Sequence, residues 1–141
     1  MSVKQISVFI ENKTGKLAEV TRYIADNNVN MKALSIADTH DFGILRIICE
    51  DTESAAKVLK DGGYVIAETD VVAVEITDKP GSLAEILEAL VGAEIAVEYT
   101  YAFLSVKNAG HAYMIFRVDD NDKAKAALGT KFNVVDDAAL F

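Results

Sequence analysis

Asn12-Lys13-Thr14-Gly15-Lys16-Leu17-Ala18-Glu19-Val20 returns later in the chain as Asp78-Lys79-Pro80-Gly81-Ser82-Leu83-Ala84-Glu85-Ile86. Gly15 and Gly81 stand 66 positions apart (81 minus 15), and at that offset Lys13, Gly15, Leu17, Ala18 and Glu19 each meet an identical residue. A segment written twice in 141 residues reads as two copies of one unit. An alternating apolar stretch precedes each copy: Ile6, Val8, Ile10 in the first and Val72, Val74, Ile76 in the second. That period of two is a strand. A helical pattern follows, through Leu17, Val20, Ile24 and through Leu83, Ile86, Leu87, Leu90. The repeated segment is therefore a strand-to-helix turn. Glycine admits positive φ there. The first helical turn presents unpaired N–H groups with partial positive charge, which suit a carboxylate. A lysine sits beside each turn. The same residues also read, more plainly, as a tight turn with a solvated lysine.

The length fits one ordinary domain or two small ones, and the repeat decides for two, residues 1–69 and 70–141. Units that small are expected to pack on each other or on a second chain. The hydrophobic content of 51% is enough for a core, and the net charge of −8 argues against nucleic acid and against an anionic membrane face. Cys49 is the single cysteine, so no internal disulfide forms, and its apolar surroundings read as packing. No apolar signal region or membrane-length stretch is seen, and a reducing, cytoplasmic setting is expected.

Along the first copy the pattern predicts a strand at about 4–11, a helix to about Asn27, strands at 30–38 and 42–50, and a helix opened by Asp51-Thr52-Glu53 with a hydroxyl cap. Gly62-Gly63 ends that helix, and a strand follows at 64–68. Thr69-Asp70 is too short for a flexible linker. The second copy predicts a strand at 71–77, a helix at 82–91 and strands at 96–105 and 112–118 joined by a hairpin through 106–110. A short helix at 123–128 and a strand at 132–135 complete it. Each unit is β-α-β-β-α-β. The expected fold class is therefore α+β, two ferredoxin-like units in tandem, each an antiparallel four-stranded sheet with two helices on one face. Val97, Tyr99, Tyr101 and Phe103 alternate along one strand and are expected to line one face as packing.

A strand ending in Asn or Asp, then x-[Pro/Thr]-Gly-x-Leu-Ala-Glu-[Val/Ile], inside such a unit, resembles the ACT domain, a small regulatory module that binds amino acids. The resemblance covers nearly the whole chain, twice. It implies a tandem ACT-domain protein whose effector sits between adjacent domains. Contacts would come from the glycine turn and helix start of one domain and from the second strand of its neighbour. In the first copy these are Asn12, Lys13, Thr14, Gly15, Lys16 and Leu17, with Asn30 and Met31 at the head of the second strand. In the second copy they are Asp78, Lys79, Pro80, Gly81, Ser82 and Leu83. Asp78 replaces Asn12, and Ala96 stands where the first copy has Asn30, so an asymmetric pair is expected with more of the effector chemistry in copy one. Leu17, Met31, Leu34 and Leu83 would tolerate an apolar or aromatic side chain. The implied function is a non-catalytic regulatory protein, a homodimer that reports a free amino acid through its assembly to an enzyme or a transcription regulator. No cofactor, metal, nucleic acid or membrane is implied.

Other readings are weaker. His40 and His111 lack the spacing of a metal site. Neither lies in a recognisable catalytic context. Asp119, Asp120 and Asp122 read as a helix-start cap, and neither glycine turn is a phosphate loop. A structural, oligomerising module without ligand is the alternative, followed by a small enzyme on the same scaffold.

Overall fold

In the first strand, β1 (Val3–Glu11), Ile6 and Val8 are fully buried, as their alternation requires. The computed structural model describes residues 3–39, 41–103 and 111–141. By its internal contacts the chain divides into two units, Lys4–Thr69 and Asp70–Phe141, the second also taking in Val3.

The first unit runs β1, α1 (Lys16–Asp26), β2 (Met31–Asp38), β3 (Phe42–Cys49), α2 (Thr52–Asp61) and the opening part of β4 (Val65–Thr77). β3 lies antiparallel to both β1 and β2, with Val8 and Ile36 each opposite Leu45. Val20 and Ile24, one helical turn apart on α1, join Ala55, Ala56 and Leu59 of α2 over Ile6, Val8, Leu45 and Ile47 in one apolar cluster. Truncating Ile24 or Leu59 to alanine there is worth about 2–5 kcal/mol. α1 stops at Asn27, whose side-chain amide donates to the Tyr23 carbonyl at 2.8 Å, and Asn28 takes φ of 60°. The cap of α2 is not the expected hydroxyl. The Asp51 carboxylate accepts from the Ser54 N–H at 3.0 Å.

The second unit runs through the later part of β4, α3 (Ser82–Gly92), β5 (Val97–Phe103), β6 (His111–Val118), α4 (Asn121–Leu128), β7 (Asn133–Val135) and α5 (Asp137–Leu140). β4 pairs antiparallel with β6 and β7, and β5 with β6. Ile86, Leu90, Ala124 and Leu128 close over Val72, Val74, Phe116 and Val118. On the alternate positions Phe103 meets Tyr113 edge-on at 6.2 Å, and Phe141, which follows α5, lies 5.8 Å from Phe103.

The expected fold class needs correction. The last strand expected for the first unit and the first strand expected for the second are one and the same, so the chain does not form two separate four-stranded ferredoxin-like sheets. The cause lies in β4. The strands expected at 64–68 and 71–77 are a single strand of 13 residues, with Thr69 and Asp70 inside it. Thr69-Asp70-Val71 carries no Gly or Pro to bend the backbone, so extended structure continues through it. The helices number five rather than four among the described residues. The addition is α5, capped by the Asp136 carboxylate accepting from the Ala139 N–H at 3.2 Å.

The second correction concerns faces. β2 shifts register between Met31 and Ala33, and β5 does so between Val97 and Tyr99, at matching places in the two copies. One extra residue turns Met31 and Val97 toward the helix-side clusters. Tyr101 and Phe103 lie buried on the other face, so the run from Val97 to Phe103 does not share one face. The hairpin expected at 106–110 and His40 lie outside the described residues.

Candidate functional site

Gly15 and Gly81 do the same thing at the same point. Each is the residue before a helix, with φ/ψ of 89°/−13° and 90°/−11°. Lys13 N–H donates to the Glu11 carbonyl at 2.9 Å and Lys79 N–H to the Thr77 carbonyl at 2.9 Å, so the entry to each turn is also the same. Glycine holds this left-handed backbone without a Cβ penalty. Neither helix start carries a side-chain cap. The first helical N–H, of Lys16 or Ser82, donates back to the Lys13 or Lys79 carbonyl at 3.2 and 3.4 Å, and the next N–H groups of the turn stand without a side-chain cap at the positive end of the helix dipole.

In the first copy Asn12, Lys13, Thr14 and Gly15 are exposed, and Leu17 is 39% exposed. The Asn12 amide donates to the Asp38 carboxylate at 2.7 Å. Asp38 closes β2, 26 residues further on, and sequence patterning gives no hint of it. The pair leaves the Asn12 carbonyl and an Asp38 oxygen as acceptors beside the turn. Lys13 pairs with Glu11 at 2.9 Å, and that contact holds the Glu11 carboxyl below its ordinary range. Lys16 pairs with Glu19 at 3.3 Å.

In the second copy Asp78, Lys79, Pro80 and Gly81 are exposed, Leu83 is half-buried and Ser82 is buried. The Ser82 hydroxyl has no hydrogen-bond partner among the described residues.

Asn30 and Met31 fall elsewhere. They stand at the head of β2, whereas Asn12 reaches its tail at Asp38. Eight residues of strand at about 3.3 Å each separate the two ends by about 26 Å. Within the first unit the structure therefore does not bring Asn30 to the Gly15 turn. Asn30 instead borders a cleft of about 340 Å³ with Asn28, Cys49, Glu50 and Ser54. A second cleft, of about 300 Å³, lies against the first turn of α1, between Lys16 and Glu19 on one side and Gly63, Tyr64 and Val65 on the other, with Phe9 in its wall. Burial, with the Glu19 carboxylate nearby, pushes the Tyr64 phenol above its usual value. Neither this cleft nor the Asn12–Asp38 pair was read from the sequence.

Cys49 is buried, and burial pushes its thiol up to about 11, so little reactive thiolate forms near neutrality. No three His, Cys, Asp or Glu side chains gather in a metal-holding group among the described residues. No helix among them is long and apolar enough to cross a membrane.

A family profile described as ACT domain pair matches residues 1–141. Among solved structures, protein BT0572 from Bacteroides thetaiotaomicron is 39% identical, with a TM-score of 0.89 over 99% of this chain and 96% of that one. The regulatory subunit of aspartate kinase from Thermus thermophilus, in its ligand-free form, shares the fold at 15% identity, with a TM-score of 0.66 over 91% of this chain and 89% of that one. The corresponding subunit from Thermus flavus does so at 15% identity and 0.63, over 92% of each chain. No curated protein matches. With its full length matched and its repeated glycine turn built the same way twice, the chain belongs to the ACT domain-pair family.

Proposed function

We propose that this chain is a non-catalytic regulatory protein of the cytoplasm that binds a free amino acid at its glycine turns and passes the signal on through its assembly as a homodimer. The observation that carries this reading is the Gly15 turn. An uncapped helix start lies next to an acceptor pair, Asn12 and Asp38, in a chain of the ACT domain-pair family. A free amino acid presents one carboxylate and one ammonium. The N–H groups of Thr14, Gly15 and Leu17, with the Lys13 and Lys16 side chains close by, suit the first. The Asn12 carbonyl and the Asp38 carboxylate suit the second. The lysine pairs with Glu11 and Glu19 are exposed. Such solvent-exposed pairs add little stability and open readily to a ligand. Lys79, Pro80, Ser82 and Leu83 repeat the turn in the second copy. There Asp78 in place of Asn12 repels a carboxylate, so the first copy is the stronger binder. A receiving enzyme or transcription regulator would read the change.

A thermal-shift panel of the twenty amino acids, followed by titration calorimetry, tests the proposal. A ligand that binds only the folded chain adds about 2.7 kcal/mol at a hundred times its Kd, and the melting temperature climbs with concentration. A flat panel refutes it. Asn12→Ala against Asp78→Ala then tests the asymmetry, which fails if loss of Asn12 weakens binding no more than loss of Asp78. One feature favours the alternative of a ligand-free structural module. The Asn12 amide already has a partner in Asp38, within the protein itself.

A further inference from the structure

Lys16, Glu19 and Tyr23 recur at three- and four-residue spacing and so share one flank of α1. That flank faces α2 and the segment after it. The Tyr23 hydroxyl donates to the Val58 carbonyl at 2.6 Å, and the rings of Tyr23 and Tyr64 lie 5.5 Å apart. Beyond Tyr23, toward the helix start, the flank borders the cleft of about 300 Å³. Gly63 lines it with φ of 84°, and a Cβ built there would meet nothing within 4 Å. Val65 is 68% exposed, an unusual amount for an apolar strand residue. Phe9 and Tyr64 are half-buried in the same wall.

The second unit supplies an internal comparison. Tyr64 N–H donates to the Leu59 carbonyl and Phe132 N–H to the Leu128 carbonyl, after the matching helices, so Phe132 is the counterpart of Tyr64 and Asn133 of Val65. Glu75 is the counterpart of Phe9 and Ser82 of Lys16, both 66 positions on. At those places the Asn133 amide donates to the Glu75 carboxylate at 2.6 Å, and Ser82 is buried. Two of these positions, Asn133 and Glu75, are thus tied together by the protein's own polar groups. In the first unit the same positions form an apolar wall and an exposed charge pair.

We infer that this cleft seats an α-amino acid with an apolar side chain, its carboxylate on Lys16, its ammonium on Glu19 and its side chain against Phe9, Tyr64 and Val65. The inference rests on reading the chain as an amino-acid binder; it seats the ligand on the Lys16–Glu19 flank of α1 in place of the Asn12–Asp38 side of the turn, and adds what kind of side chain it carries. The Lys16 ammonium and Glu19 carboxylate are 3.3 Å apart, their side chains 38% and 61% exposed, a spacing that a zwitterion with its two charges on adjacent groups matches head to tail. A purely anionic ligand would meet Glu11 and Glu19, which both line the cleft. A neutral apolar one would leave the charge pair unused. The volume lies at the small end of ligand clefts, as a single amino acid requires.

The test is a ¹⁵N-HSQC titration of the full chain with L-phenylalanine and L-leucine. 3-Phenylpropanoate and phenethylamine serve as probes that each lack one charge. Gly63, Tyr64 and Val65 amides should move with both amino acids and stay still with L-serine and L-aspartate. Each single-charge probe should bind at least tenfold more weakly than L-phenylalanine. Glu19→Gln and Val65→Asp, both at exposed positions, should each weaken binding at least tenfold while the remaining spectrum stays native. The inference is overturned if Gly63–Val65 do not respond to either amino acid, or if both variants bind as the parent does. Responses confined to the surroundings of Asn12 or Asn30 would leave amino-acid binding standing and this seat wrong. Silence toward all twenty amino acids would sink both.

Discussion

Alanine at Gly15, Gly81 and Gly62 should have three separable costs, set by backbone at the first two and by a neighbour at the third. At Gly15 and Gly81 a Cβ meets nothing within 4 Å, so crowding contributes nothing. What remains is φ of 89° and 90°, which costs an L-residue roughly 1–2 kcal/mol. The stiffer unfolded chain returns about 0.4–1 kcal/mol of that. Each substitution should therefore destabilise by about 1 kcal/mol, and the two should agree within about 0.5 kcal/mol because their dihedrals match. Gly62 has an ordinary φ of −82°, but its Cβ would fall 2.5 Å from the Tyr23 ring and 2.6 Å from its hydroxyl. Tyr23 must move and give up its bond to the Val58 carbonyl. Overpacking at roughly 1–3 kcal/mol and a lost hydrogen bond at roughly 0.5–1.5 kcal/mol put Gly62→Ala at about 2–3 kcal/mol. Urea unfolding at pH 7 measures all three, and the Gly62→Ala cost should shrink in a Tyr23→Ala background. The reasoning is refuted if Gly62→Ala is tolerated as well as Gly15→Ala, or if its cost is the same with and without Tyr23.

Asp51→Ala and Asp120→Ala, which remove caps accepting from Ser54 and Lys123 at 3.0 Å each, should lower the unfolding free energy by about 1 kcal/mol apiece in the same urea assay. Cys49 should resist iodoacetamide at pH 8 in the folded chain and react promptly in urea. Its folded value, raised from 9.0 to about 11, means the contribution is whole below pH 9 and fades as pH climbs toward 11. The gap between parent and Cys49→Ala should therefore narrow over that window by up to about 2–3 kcal/mol. Glu11 should titrate below 4.5 by carboxyl NMR, and Lys13→Met should bring its midpoint back up. An unchanged midpoint in that variant would rule out Lys13 as the cause.

The glycine turns, the helices after them and the order of elements in each copy were legible because local periodicity specifies them. Val20 and Ile24, Ile86 and Leu90, read as helix faces, are the residues buried under those helices. The continuity of β4 was not legible. Thr69-Asp70 is a polar pair between two apolar alternations and so reads as a junction between copies, although it holds no Gly or Pro that would end the strand. Single inserted residues near Lys32 and Glu98 were also invisible, since an alternation counted from one end cannot register an extra residue that shifts its phase. At the candidate site the turn itself was readable from Gly15. The engagement of Asn12 by Asp38 was not, being a contact across 26 positions. The cleft at Lys16 depends on Tyr64 and Val65, which no local pattern connects to α1.

The register shifts in β2 and β5 have a consequence for how the strands are held. A regular strand can slip two residues and present the same faces again. One carrying an interpolated residue presents opposite faces on either side of it, so no slipped alignment satisfies both halves at once. Deleting Lys32 would erase that phase change and send Met31 outward or Leu34 and Ile36 to the reverse face. The misplaced residue thus acts as a peg in the ladder, fixing the alignment of the very strand whose tail holds Asp38 and whose head holds Asn30.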